Sequence, residues 1–121
     1  MATLNDLKKY LNYEFSSGCY TGEDYKTFQR KYINYLKTLA RENGWELCKV
    51  LKNHYEFSAF FKFKDRYVYF SIDDVRFFAN EWYNNILIRT AESETDYHGG
   101  YNRYATLPAL DVRIKALFNG E

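Results

Sequence analysis

Apolar residues return every third or fourth position in two early stretches. They then fall on every second position through the middle of the chain, and on every third or fourth again near its end. The first spacing is that of a helix with one buried face, the second that of a half-buried strand. Leu4, Leu7, Leu11 and Phe15 predict a first helix, opened at Thr3 with Asp6 three residues on and ended at Ser16, Ser17 and Gly18. A second opens around Thr21 to Asp24 and runs to about Asn43, with Asn43 and Gly44 as its stop. Tyr25, Phe28, Tyr32, Ile33, Tyr35, Leu36, Leu39 and Ala40 fall on one side of it. Lys26, Arg30, Lys37 and Arg41 line the other.

The period then shortens. Residues 45–51 predict a strand with Trp45, Leu47 and Leu51 on one side and Cys48 and Val50 on the other. Residues 55–63 alternate, placing Phe57, Ala59, Phe61 and Phe63 on one face. Lys64 and Asp65 form a tight connection into a third strand over 66–72. Connections this short make the three strands an antiparallel meander. Ser71 with Asp74 resembles a capping box, so one or two helical turns are expected near 71–76, followed by irregular chain through Trp82 and a turn at Asn84 and Asn85. Ile86 to Ala91 predicts a fourth strand. Thr106 opens a last helix with Pro108 in its first turn, its apolar face Leu107, Leu110, Ile114, Leu117 and Phe118, its end Asn119 and Gly120. The expected architecture is α+β: a four-stranded, mainly antiparallel sheet with N-terminal helices and one C-terminal helix packed on one face. The other face, with Phe60, Lys62 and either Tyr67 and Tyr69 or Val68 and Phe70, is expected to meet solvent or a partner.

Composition narrows the function classes. At 121 residues with one proline and no linker, the chain reads as a single domain spanning residues 1–121. Aromatic residues are 21% of it, which excludes a disordered chain and leaves rings for both core and interface. Formal net charge is +1, with nine Lys/Arg against seven Asp/Glu in residues 1–60 and eight against nine in residues 61–121. Neither half is a basic arm, and an acidic mimic of DNA is excluded. Cys19 and Cys48 lack metal or redox spacing and read as free thiols of a cytoplasmic protein. No apolar run is long enough to cross a bilayer, so no membrane partner is expected.

Polar residues crowd in one stretch, 87–104. Arg89, Asp96, His98, Asn102 and Arg103 surround Gly99 and Gly100. Glycines here allow close approach of a ligand or backbone, yet the pattern is neither GxGxxG nor a P-loop. An ordinary surface loop, with Arg89 paired to Asp96 or Asp73, explains the same residues. An arginine in mid-strand is normally paired or placed at an interface. The stripe Lys26, Arg30, Lys37 and Arg41 suits a phosphate backbone or an acidic partner, or is the solvated face of an amphipathic helix. Cys19, Cys48, His54 and His98 have no finger-like spacing, and nothing marks a nucleophile elbow, so no metal, cofactor or catalytic residue is expected.

Residues 71–76, Asn80 to Trp82, Ile86 to Ala91 and Asp96 to Asn102 together resemble a family of small proteins of phages and other bacterial mobile elements. The resemblance covers roughly residues 67–118. In size and single-domain build the chain is similar to anti-CRISPR proteins, which bind and block a host nuclease complex. The resemblance implies a non-enzymatic protein-binding module, an inhibitor of a host CRISPR nuclease or its RNA complex. Its contact residues would be Arg76, Trp82, Arg89, Asp96, Tyr97, Asn102 and Arg103. The alternative is a nucleic-acid-binding accessory protein using Lys26, Arg30, Lys37 and Arg41 with the aromatic sheet face.

Overall fold

A computed structural model describes residues 7, 8, 10, 22–53, 56–72, 86–96 and 101–120. Its elements run α1 (Glu23–Asn43), β1 (Glu46–Asn53), β2 (Glu56–Phe63), β3 (Arg66–Ile72), β4 (Ile86–Ala91), β5 (Arg103–Ala105) and α2 (Leu110–Phe118). The sheet has five antiparallel strands in sequence order, β1-β2-β3-β4-β5. The α+β class therefore holds, but the sheet has five strands among the described residues. Arg103 to Ala105 pairs with β4, Ile86 opposite Ala105 and Ile88 opposite Arg103. Three residues after a glycine pair carry too little alternation to read as a strand; pairing with β4 decides it. Among the described residues only α1 precedes the sheet as a full helix. The expected first helix lies mostly outside them, although Leu7 and Tyr10 are buried, and the Tyr10 ring sits 5.0 Å from that of Phe28. Of the helical turns expected near 71–76, Ser71 and Ile72 belong to β3, paired with β2, and the remainder, with the turn at 84–85 and the Thr21 cap, lies outside the described residues.

α1 is the element whose sequence and structure agree most closely. Glu23 and Asp24 occupy its first turn and Arg41 its last, each favourable to the helix dipole. Gly44 ends it with φ of 75°, a left-handed conformation that glycine adopts without a Cβ clash. The Trp45 amide then reaches back to the Ala40 carbonyl at 2.8 Å. Tyr25, Phe28, Tyr32, Leu36, Leu39 and Ala40 are buried as the period predicts, and Gln29 joins them. α2 begins at Leu110, later than expected. Thr106 to Leu110 instead make tight turns, with the Ala109 amide donating to the Thr106 carbonyl, and Pro108 lies in that turn. Its apolar face is as read: Leu107, Leu110, Ile114, Leu117 and Phe118 are all buried.

The core lies between both helices and one sheet face. Phe61, Val68, Phe70, Ile72, Ile86, Ile88 and Ala105 meet the buried stripes of α1 and α2. The β2–β3 connection is a two-residue hairpin in which Lys64 itself takes φ of 58°, where glycine would be the usual choice. β1 departs from plain alternation. Cys48 pairs with Phe60, but the next pairing is Leu51 with Ser58, so two residues of β1 oppose one of β2. Lys49 sits in this bulge with φ of 53°. The extra residue inverts the alternation beyond it. Leu51 therefore shares a face with Cys48, correcting the expected grouping with Leu47. Lys52, in register with Ile72 through β2, turns to the helix side.

Candidate functional site

Two places gather the residues singled out from the sequence: the sheet face turned away from the helices, and the outer side of α1. On the first, Cys48, Phe60, Tyr69 and Arg89 form one cross-strand row. The expectation that Phe60 is exposed is corrected: it has 0% exposure, and its ring packs 5.1 Å from that of Tyr69. Tyr67 and Tyr69 do lie on this face, half-buried, while Val68 and Phe70 face the helices.

Arg89 is 4% exposed, with its guanidinium carbon over the Tyr69 ring, 4.5 Å from the ring centre and within cation–π range. It also donates to the Asp96 carbonyl at 3.2 Å. Asp96 meanwhile closes the turn after β4: its carboxylate accepts the Glu92 amide at 2.9 Å and its amide donates to Ser93. Arg89 and Asp96 thus hold the strand and the following turn together. Cys48 ends the row. Burial first, and then the Glu94 and Glu46 carboxylates, push its thiol up from the ordinary range. A thiol kept protonated in this way is a poor nucleophile.

Asn102 and Arg103 are exposed at the β5 edge beside Tyr101 and Tyr104, which are 83% and 47% exposed. Arg113 of α2 donates to the Tyr104 carbonyl at 3.2 Å, which occupies one acceptor of that edge. Arg76, Trp82 and Tyr97, together with Cys19, His54 and His98, lie outside the described residues. Among the described residues no three His, Cys, Asp or Glu side chains are grouped to hold a metal ion. No helix there is long and apolar enough to cross a membrane.

The outer side of α1 differs in kind. Lys26, Arg30, Lys37 and Arg41 are all exposed, as the period predicts. Lys26, Arg30 and Lys37 line a trough of about 560 Å³ with Gln29, Ile33, Asn34 and, from β1, Lys52. Lys52 is the residue that sequence reasoning missed. Plain alternation from Leu47 sends it to the opposite face; the Lys49 bulge brings it round. The one sequence signal was weak: a run of polar and apolar residues that fits no single strand face.

Among the described residues no carboxylate lines the trough. Between Asp24 and Glu42, α1 carries Lys26, Arg30, Lys31, Lys37 and Arg41 and no acidic residue at all. Lys26 with Arg30, and Lys37 with Arg41, are like-charge pairs four residues apart. Each costs the helix about 0.2–0.5 kcal/mol. A solvated face chosen for stability alone would alternate the signs of its charges, as salt-bridged helices do. The trough is an anion-attracting surface held at a small cost in helix stability.

Two smaller hollows flank the β2–β3 turn. Arg66, which lines both, donates to the Phe118 carbonyl and so closes the C-terminal end of α2. Comparison with protein-family models, curated proteins and solved structures finds no match to this chain.

Proposed function

We propose that the protein is a non-enzymatic binding module whose working face is the α1 trough and whose ligand is nucleic acid, held through its phosphates. The observation that supports this reading is the convergence of Lys26, Arg30, Lys37 and Lys52 on one trough, with no carboxylate among the described residues that line it. Neutralising a row of phosphates releases their counterions, so such binding is strong at low salt and falls steeply as salt rises. A net charge of +1 does not oppose this, because the positive charge is concentrated on one face. The test is an electrophoretic mobility shift with DNA and RNA at low salt. The full chain shifts them, and the double variant Lys26→Glu with Lys37→Glu does not. The absence of any shift with the unaltered chain at low salt rejects the reading.

A second reading is capture of a protein partner by an inhibitor of a host defence nuclease. It is favoured by the exposure of Tyr101, Tyr104 and Val112 beside Asn102 and Arg103, since aromatic and arginine side chains are common anchors of protein interfaces. Host nuclease interference is the measurement. It is lost on expression of the chain, and it returns when Tyr101→Ala is combined with Arg103→Ala. Unchanged interference removes this reading and leaves the first.

A further inference from the structure

We infer that the α1 trough takes in one unpaired nucleotide of a single strand, with Gln29 reading the edge of its base. This rests on the reading of the trough as a nucleic-acid site and names the part of the ligand that enters it.

Gln29 is the residue that phosphate binding leaves unused. It is 8% exposed, and it lines the trough. The other buried residues of α1 are Tyr, Phe, Leu and Ala. At about 100° per residue, Gln29 falls about 60° from Lys26, toward that buried stripe. It therefore stands at the foot of the cationic stripe, where the lining also takes in Lys52 of β1. Among the described residues its carboxamide has no hydrogen-bond partner. An amide taken this far out of water without a partner costs the fold stability, and an apolar side chain of the same size would pack there without that cost. The arrangement makes sense when the partner arrives with the ligand.

The chemistry of the carboxamide selects that partner. It carries a donor and an acceptor side by side. Phosphate oxygens only accept, so a phosphate on the cations leaves the Gln29 carbonyl oxygen unsatisfied. A nucleobase edge offers a donor beside an acceptor, as in the pairing of Gln with adenine N6 and N7. In a duplex the Watson–Crick edges are consumed by pairing and the bases are stacked inside. In a single strand they are free to splay out of the stack and enter a recess. Ile33, half-buried and one turn on from Gln29, gives the base an apolar wall. The trough volume of about 560 Å³ lies within the range of roughly 300–1,000 Å³ found for sites of small organic ligands. No aromatic ring lines it among the described residues. The base is therefore held by its edge, and not by stacking, which tolerates any base face.

The experiment is fluorescence anisotropy of the full chain across about 25–200 mM salt. The probes are a labelled DNA strand of about 20 nucleotides, its duplex, and a strand of the same length with abasic sugars throughout. The single strand is expected to bind tighter than the duplex, and roughly tenfold tighter or more than the abasic strand. Gln29→Met keeps the size of the side chain and removes its donor and acceptor. It should lose most of that tenfold on the normal strand, bind the abasic strand as the unaltered chain does, and leave the salt slope unchanged. Its stability in urea should stay level or rise, because a buried amide without a partner is gone. A fall in stability, or an equal loss of affinity on both strands, makes Gln29 a structural residue and overturns the inference. Abasic strand or duplex bound as tightly as the single strand overturns it too, and spares the nucleic-acid reading. Adenosine monophosphate bound as tightly as the strand overturns it in favour of a free nucleotide. No binding of any of these at the lowest salt overturns both readings together.

Discussion

Arg89 and Arg30 are both arginines that a sequence marks for attention, and the fold uses them in opposite ways. Arg89 is in mid-strand, buried, over the Tyr69 ring and hydrogen-bonded to the Asp96 main chain. Arg30 is exposed on a helix with cations as its neighbours on the stripe. The first arrangement satisfies the guanidinium within the chain, and removing it leaves partners unpaired. The second leaves the guanidinium hydrated and carries a small repulsive cost. A cation tied internally contributes stability; a cation kept among like charges is available for a ligand.

The sharpest way to break the comparison is Lys26→Glu with Lys37→Glu. Each substitution turns a like-charge pair into a Glu followed four residues later by Arg, the favourable order on a helix. Nucleic-acid affinity should fall at least ~100-fold at low salt, the loss of two contacts and their replacement by repulsion. Stability by urea unfolding should stay level or rise by up to about 1 kcal/mol. A fall in stability parallel to the fall in affinity would make the stripe structural.

Arg89→Ala is the mirror experiment. It removes a cation–π-paired, hydrogen-bonded and largely buried side chain, and should cost about 2–3 kcal/mol by urea unfolding. Affinity for nucleic acid, measured where the variant remains folded, should be unchanged. A loss of affinity without loss of stability would move the binding face to this side of the sheet.

The bulge supplies a finer test. Deleting Lys49 removes the bulge but leaves Leu51 opposite Ser58 and Lys52 opposite Phe57, so Lys52 stays on the α1 side and affinity should change only by the charge lost at position 49. Lys49→Gly keeps the bulge and relaxes its positive φ, raising stability by about 0.5 kcal/mol with affinity falling only by the charge lost at position 49 itself. The smallest effect is chemical. In a Cys19→Ser background, Cys48 should react with iodoacetamide more slowly at pH 8 than a free cysteine does. Burial and the nearby carboxylates hold its thiol protonated. Raising pH through and beyond the ordinary thiol range should recover the rate, and Glu94→Gln should recover part of it at pH 8.

Hydrophobic period was enough to place α1, its buried stripe and its basic stripe, because a 3.6-residue repeat over five turns leaves one consistent solution. It was enough for the β2–β3 hairpin and for the apolar face of α2, where short connections and strong alternation leave few alternatives. It was not enough for β5, which is three residues long and exists by pairing with β4. Nor could it settle Phe60, whose position in the alternation says which face it occupies and not whether that face is covered. The 87–104 stretch drew attention because polar residues and glycines gather there. Its described part proves to be strand, turn and edge strand, with Arg89 and Asp96 bound to each other through the main chain.

The sequence by itself determined the α+β class, the antiparallel meander and the cationic stripe of α1, all of which follow from local periodicity and short connections. Tertiary structure alone decided that Arg89 is enclosed and that Lys52 joins the stripe. Both depend on contacts between segments far apart in the chain, and in β1 one inserted residue reverses which side of the sheet every later side chain occupies.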